Sequence, residues 1–328
     1  RKGRITMKKL FALILALVMS LSLFACGSSK TKMRFVTGGE SGTYYAFGST
    51  IAQHATNNAG IEVVGLVGNG SKSNVEELDA GNAELAFCQS DVMAYAYNGT
   101  NLFENPIDCF STVAALYAEQ VQIVTVDPSI KTVADLAGKS VSIGAPGSGV
   151  YFNAVDILSA YGLGDLDADG KFTKINATYQ SFGDSADALK DGKIDAAFIV
   201  AGAPTTAIVD LSTTKPVSLV SLDDEHIDAL LKSSPYYSKC TIKADVYGLD
   251  SDTTTVAVGA VILARDDVPA DAIKALCADI FDNASSLVSS HAKYGELNLE
   301  YASSITSVPY HAGAVEYFAE HNITVAGK

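Results

Sequence analysis

The sequence predicts an α/β protein of two like lobes, each a mixed sheet flanked by helices, the two joined by crossing strands. Three observations carry this. Met33 to Ala55 (MRFVTGGESGTYYAFGSTIAQHA) reads as a short buried strand, a glycine-rich loop and an amphipathic helix in succession. Its centre, Ser41-Gly42-Thr43-Tyr44-Tyr45, is echoed by Ser148-Gly149-Val150-Tyr151-Phe152, which also follows a strand, Lys139 to Gly144, and opens a helix, Val150 to Ala160. Val75 to Phe87 (VEELDAGNAELAF) aligns without gaps to Ala186 to Phe198 (ADALKDGKIDAAF), matching Leu78 with Leu189 and Gly81 with Gly192. Each lobe should therefore hold a helix closed by a glycine and then a short buried strand.

Taken in order, the chain opens with Lys8 and Lys9 ahead of an apolar run, Leu10 to Phe24, and then Ala25-Cys26-Gly27, the pattern of a signal peptide over residues 1–25. The run is too short, and wrongly flanked, for a membrane-spanning helix with a cytoplasmic domain. Residues Arg1 to Thr6 stand ahead of Met7, the expected start. Leu23-Phe24-Ala25-Cys26 resembles a bacterial lipobox, whose cysteine is lipidated, and residues 26–32 then form a polar tether. The alternative is a secreted protein in which Cys26 is incidental.

After the first helix, Ile61 to Val67 reads as a strand and Gly68-Asn69-Gly70 as a turn, with Ser71 capping a helix that ends near Gly81 and carries Asn74 in its first turn. The strand Glu84 to Cys88 delivers Gln89, Ser90 and Asp91 into the next loop. Strands Val113 to Tyr117 and Val121 to Val126 flank Ala118-Glu119-Gln120, the first crossing, so lobe I is expected over 33–120 plus 256–328 and lobe II over 121–255. Lobe II continues with a short helix and turn at Asp135 to Lys139 and the second glycine loop. A strand about Lys174 to Tyr179, a helix Asp184 to Lys190, a strand Ile194 to Val200 and the loop to Pro204 follow. It finishes with the strand Val217 to Ser221, a helix about Glu225 to Leu231 and an irregular segment, Pro235 to Leu249. Thr254 to Ala264 is the return crossing, one long helix follows Pro269, and a terminal helix follows Val308 to Ala314. Lobes joined this way can hinge about a shared cleft, and the loops beyond the carboxyl ends of the strands should share its rim.

Composition narrows the partners. At 328 residues, 48% hydrophobic and 18% charged, the chain is globular and long enough for two domains. Removing residues 1–25 takes away five basic residues and no acidic ones, moving the formal charge from −14 to −19, which repels nucleic acid and anionic lipid. Cysteines 88, 109, 240 and 277 form no CxxC pair, and the five histidines no HExxH, so neither a metal nor another cofactor is expected. Whether two of these cysteines pair stays open.

The glycine loops have a physical use beyond turning. Glycine lets the backbone approach a ligand, and the first N–H groups of the following helix, unpaired and partly positive, can hold a carboxylate without a cationic side chain. Read singly, each loop is also accounted for by turn and N-cap chemistry. Ser41 and Ser148 lack the spacing of a nucleophile elbow, and no Walker-type lysine follows either loop, which argues against a hydrolase.

The leader, Thr37 to Tyr45, Asp135 to Lys139, Gly144 to Gly149, Asp191 to Phe198 and Val308 to Ala314 together resemble the TAXI family, the extracytoplasmic solute-binding proteins of tripartite ATP-independent periplasmic (TRAP) transporters. The resemblance covers essentially the whole mature chain. It implies a type II periplasmic-binding-protein-like fold, a monomer that captures a small carboxylate or amino acid of the glutamate or glutamine kind, and a TRAP-type membrane permease as partner. The family's ligand loops map onto Thr37, Gly38, Gly39, Ser41, Thr43 and Tyr44, then Ser71, Asn74, Gln89, Asp91 and Glu119. In lobe II they map onto Ser148, Gly149, Val150, Ala203 and Pro204. The carboxylate-clamping arginine of the other main TRAP branch has no counterpart, since only Arg34 and Arg265 remain in the mature chain. A carboxylate would then rest on loop amides and the hydroxyls of Ser41, Thr43 or Ser148, with Glu119 or Asp91 accepting from an ammonium group. A binding protein for an ABC importer or a periplasmic sensor would share the fold, and a secreted serine hydrolase is the rival class.

Overall fold

The computed structural model describes residues 30–328, so the predicted signal peptide, Cys26 and most of the tether lie outside the described residues. Strand β1 (Lys32–Val36) leads through the first glycine loop into helix α1 (Thr43–Asn58). The buried positions Tyr44, Phe47, Ile51 and Ala55 of α1 recur at three- and four-residue steps, which lays one face on the sheet and leaves Gln53 and Asn57 in solvent. β2 (Glu62–Leu66), α2 (Ser71–Asp79), the fully buried β3 (Leu85–Gln89) and α3 (Ser90–Asn98) follow, with β2 and β3 both parallel to β1.

β4 (Phe110–Thr125) is a single strand of 16 residues where two were expected. The polar Glu119 and Gln120 read as a break in the sequence, but a strand needs only its backbone ladder to continue, and the Glu119 carboxyl finds a partner in Tyr44. The second half carries β5 (Ser140–Ser142), α4 (Val150–Ala160), β6 (Asn176–Thr178), α5 (Phe182–Lys190), β7 (Ala196–Ala201), α6 (Thr206–Ser212), β8 (Ser218–Leu219) and α7 (Asp224–Ser233). The segment read as irregular holds β9 (Ser238–Ile242), paired antiparallel with β10 (Thr253–Arg265). β9 is mostly exposed and has no alternation of apolar residues to announce it. Helix α8 (Ala270–Asp282), the short α9 (Ala284–Leu287) and α10 (Leu299–Ala302), and α11 (Ala312–Glu320) close the chain.

Among the described residues, ten strands form one sheet, ordered β2-β1-β3-β10-β4-β7-β5-β6, with β8 beside β4 and β9 beside β10. The two long strands change neighbours along their length. β10 pairs with β9 over Thr253 to Ala257 and with β3 over Ala260 to Ala264, while β4 pairs with β10 up to Gln120 and with β7 from Gln120 onward. Register shifts in β10 at Ala260/Val261 and Ile262/Leu263 fall where it passes along β4. One apolar cluster packs Phe35, Phe47, Phe87, Leu276 and Phe318, and another packs Ile123, Val141, Ile157, Phe198 and Ile227.

Candidate functional site

Three helix starts converge. α1 follows Gly42, α2 follows Gly70 and α4 follows Gly149, and no side chain caps any of the three. Their leading N–H groups therefore lack intrahelical partners and form the positive ends of three dipoles. All three glycines line one cavity of about 140 Å³, together with Gly38 to Ser41, Thr43, Tyr44, Gly68, Asn69, Ser71, Gln89, Glu119, Ala145, Ser148, Val150, Gln180 to Gly183, Val200 and Ala201. That volume is close to the roughly 150 Å³ pocket that holds benzene, so it suits a small solute. Among the described residues, no Lys, Arg or His lines it. Arg34 and Arg265 pair instead with Glu84 and Asp267.

The loops around this cavity also bond to one another. Ser73 N–H donates to the Gly147 carbonyl (3.0 Å), Ala207 N–H to the Ser41 carbonyl (3.2 Å) and the Thr43 hydroxyl to the Gly202 carbonyl (2.8 Å). Gly149 permits the closest approach: a Cβ there would lie 1.5 Å from Gln89 Oε1. Gly144 has φ +95°, and a Cβ on it would meet Val150 Cβ at 2.7 Å, so that turn also requires glycine.

Glu119 lines the cavity while only 2% exposed, and its Oε2 accepts from Tyr44 Oη at 2.9 Å. Burial pushes its carboxyl up to about 8, the Tyr44 bond opposing and Asp91 adding to the rise, so at neutral pH Glu119 is mostly protonated. Tyr44 is held by stacking on Phe87, ring centres 4.5 Å apart. Beside Glu119, Gln89 donates from Nε2 to Asn153 Oδ1 (3.0 Å), and Asn153 donates from Nδ2 to Asp91 Oδ2 and to Tyr237 Oη, both at 2.9 Å. Burial pushes Asp91 up to about 6.

Of the residues expected from the sequence, Gly38, Gly39, Ser41, Thr43, Tyr44, Ser71, Gln89, Glu119, Ser148, Gly149 and Val150 line the cavity. Thr37, Asn74, Asp91, Ala203 and Pro204 do not. The Thr37 hydroxyl donates to the Leu66 carbonyl, and the Asn74 amide donates to the carbonyls of Thr37 and Phe87, tying α2 to β1 and β3. Asp91 sits behind Asn153 rather than in the cavity. Ala203 is held through its N–H by Gln120 and through its carbonyl by Lys293 Nζ, and Pro204 is exposed. Sequence reasoning passed over Gln180, Ser181, Phe182 and Gly183, although the alignment of Gly81 with Gly192 sets Gln180 to Phe182 opposite the cavity-lining Asn69 to Ser71. It also passed over Asn153, whose one available signal was a polar side chain between Phe152 and Ala154 in an apolar helix. Cys88, Cys109, Cys240 and Cys277 are free thiols. No helix of the described residues is long and apolar enough to cross a membrane.

A model of the NMT1-like family matches residues 35–321. The chain belongs to the NMT1-like family. Among solved structures, this NMT1-like chain is similar to one described as a periplasmic transporter, over 91% of this chain and 95% of the other, at 16% identity and TM-score 0.50. It is also similar to the periplasmic aliphatic sulphonate binding protein of Escherichia coli, over 90% and 94% of the chains at 17% identity and TM-score 0.43. The ligand-binding core of GluR0 in complex with L-glutamate aligns over 83% and 99% at 9% identity and TM-score 0.48. At 16% identity the likeness to the first of these is one of fold, the α/β periplasmic-binding-protein-like fold expected from the sequence.

Proposed function

We propose that this NMT1-like chain is an extracytoplasmic solute-binding lipoprotein of the TAXI kind, anchored through Cys26, that captures a small carboxylate or amino acid and delivers it to a TRAP-type permease. Two lobes, 33–120 with 256–328 and 121–255, hinge on β4 and β10 and shut over the solute. One observation carries the reading: three uncapped, glycine-started helices meet at a cavity whose lining residues include no cationic side chain. Backbone amides and the Ser41, Thr43 and Ser148 hydroxyls take the carboxylate, and the buried acceptors on the other side take a donor. The protein works by binding alone, with no covalent step at either serine.

A thermal-shift screen over amino acids and dicarboxylates tests this. A solute of this class raises the unfolding temperature in proportion to the logarithm of its concentration. No shift with any member, or turnover of a fluorogenic ester that Ser41→Ala or Ser148→Ala abolishes, contradicts the reading. Replacing Cys26 with Ser should release the protein from the membrane fraction.

A further inference from the structure

The direction in which a buried glutamine faces is dictated by carboxylates that do not line the cavity. Tyr237 Oη donates to Asp156 Oδ2 at 2.8 Å, so its oxygen is left to accept from Asn153 at 2.9 Å. Asp91 Oδ2, also 2.9 Å from the same Asn153 nitrogen, is a carboxylate oxygen and accepts as well. Asn153 must therefore present its NH₂ to both and its Oδ1 to Gln89, and Gln89 must answer with Nε2, at 3.0 Å. The Gln89 backbone N–H is taken by Ser71 Oγ at 3.0 Å. What remains is Gln89 Oε1, an acceptor with no partner, on a residue 2% exposed that lines the cavity. Only the absence of a side chain at Gly149 leaves room for it.

We infer that Asp91, acting through Asn153, is a positioning residue that fixes Gln89 with its carbonyl oxygen toward the solute, so that this end of the cavity selects an N–H donor, an ammonium or amide, over a carboxylate. The inference rests on the solute class proposed above and goes beyond it by assigning the specificity to Gln89 and its relay. An end group that brings only lone pairs would face Gln89 Oε1 unpaired in a buried site, which costs affinity.

Calorimetric titration with matched probes decides it. L-glutamate is compared with glutarate, L-aspartate with succinate, and glutaramate with glutarate, each pair differing by one donor-bearing group. The wild type binds the donor-bearing member of a pair roughly ten- to hundredfold more tightly. Asn153→Leu frees Gln89 to turn its NH₂ inward, and the preference falls to within about threefold while binding persists. Should that variant not fold, Gln89→Leu, which removes the acceptor and leaves Asn153 bonded to Asp91, is expected to show the same collapse of preference. Glutarate or succinate binding the wild type as tightly as the donor-bearing partner overturns the inference and leaves carboxylate capture standing, as does a preference retained in Gln89→Leu. Binding by no probe overturns the proposed solute class and the inference with it.

Discussion

Gly149 and Glu119 show how much of the site rests on single residues. Gly149 has φ −70°, which any residue adopts, so the reason for glycine there is space rather than backbone freedom. If the lobes open without solute as proposed, Gly149→Ala should fold with a melting temperature within a few degrees of wild type in the absence of solute, yet lose solute binding by at least about tenfold, because its methyl would meet Gln89 Oε1 and Ser71 Oγ once they shut. Titration and a melting curve on the same preparation check both halves of that statement. Glu119 sets a pH dependence. Its folded value of about 8 lies above the ordinary carboxylate value, so the folded state holds a proton that the unfolded chain gives up. The stability this contributes is complete below the unfolded value, near pH 4, and is lost as pH rises through about 8. Asp91, at about 6, acts in the same direction over a lower window. Between pH 5 and pH 9 the wild type should therefore lose stability relative to Glu119→Gln by roughly 4 kcal/mol, measured by urea unfolding. At this scale Glu119 was reached through the family resemblance, since the sequence pattern itself read it as a break between two strands. The place of Asp91 was not legible, because which way a side chain leaves the first turn of a helix depends on the helix packed against it, here α4.

Helices and strands were easier to read than side-chain directions, and the internal repeat is the reason. The aligned segments around Gly81 and Gly192 fold alike: α2 and α5 each end two residues before the glycine, and the glycines take φ +71° and +69°. Gly81 N–H donates to the Leu78 carbonyl and Gly192 N–H to the Leu189 carbonyl, the same turn twice. A Cβ on Gly192 would meet nothing within 4 Å, so Gly192→Ala isolates the backbone penalty of a left-handed residue. The expected loss is about 1 kcal/mol in urea unfolding, with solute affinity unchanged. The elements that escaped sequence reading are those without such a pattern. β9 is an exposed edge strand, and the continuity of β4 through Glu119 and Gln120 depends on pairing partners more than 75 residues away. The loop before α5 enters the cavity through Gln180 to Gly183, and its helix start is capped by Ser181, which in sequence is ordinary capping chemistry.

For the molecule as a whole, the two glycine loops lie 107 positions apart in sequence, Ser41 to Ser148, and both line one cavity. Two long strands, β4 and β10, bring this about by running side by side and then parting to different neighbours. If they also form the hinge, closure links the Ser73 bond to Gly147 with the Ala207 bond to Ser41, and both should form or break together. Hydrogen exchange read peptide by peptide, with and without a solute that stabilises the protein, tests this most directly. Slower exchange in residues 38–45 and 145–152 together, at one solute per chain, is the predicted result; protection confined to one of these loops, or to a surface outside the cavity, would contradict it.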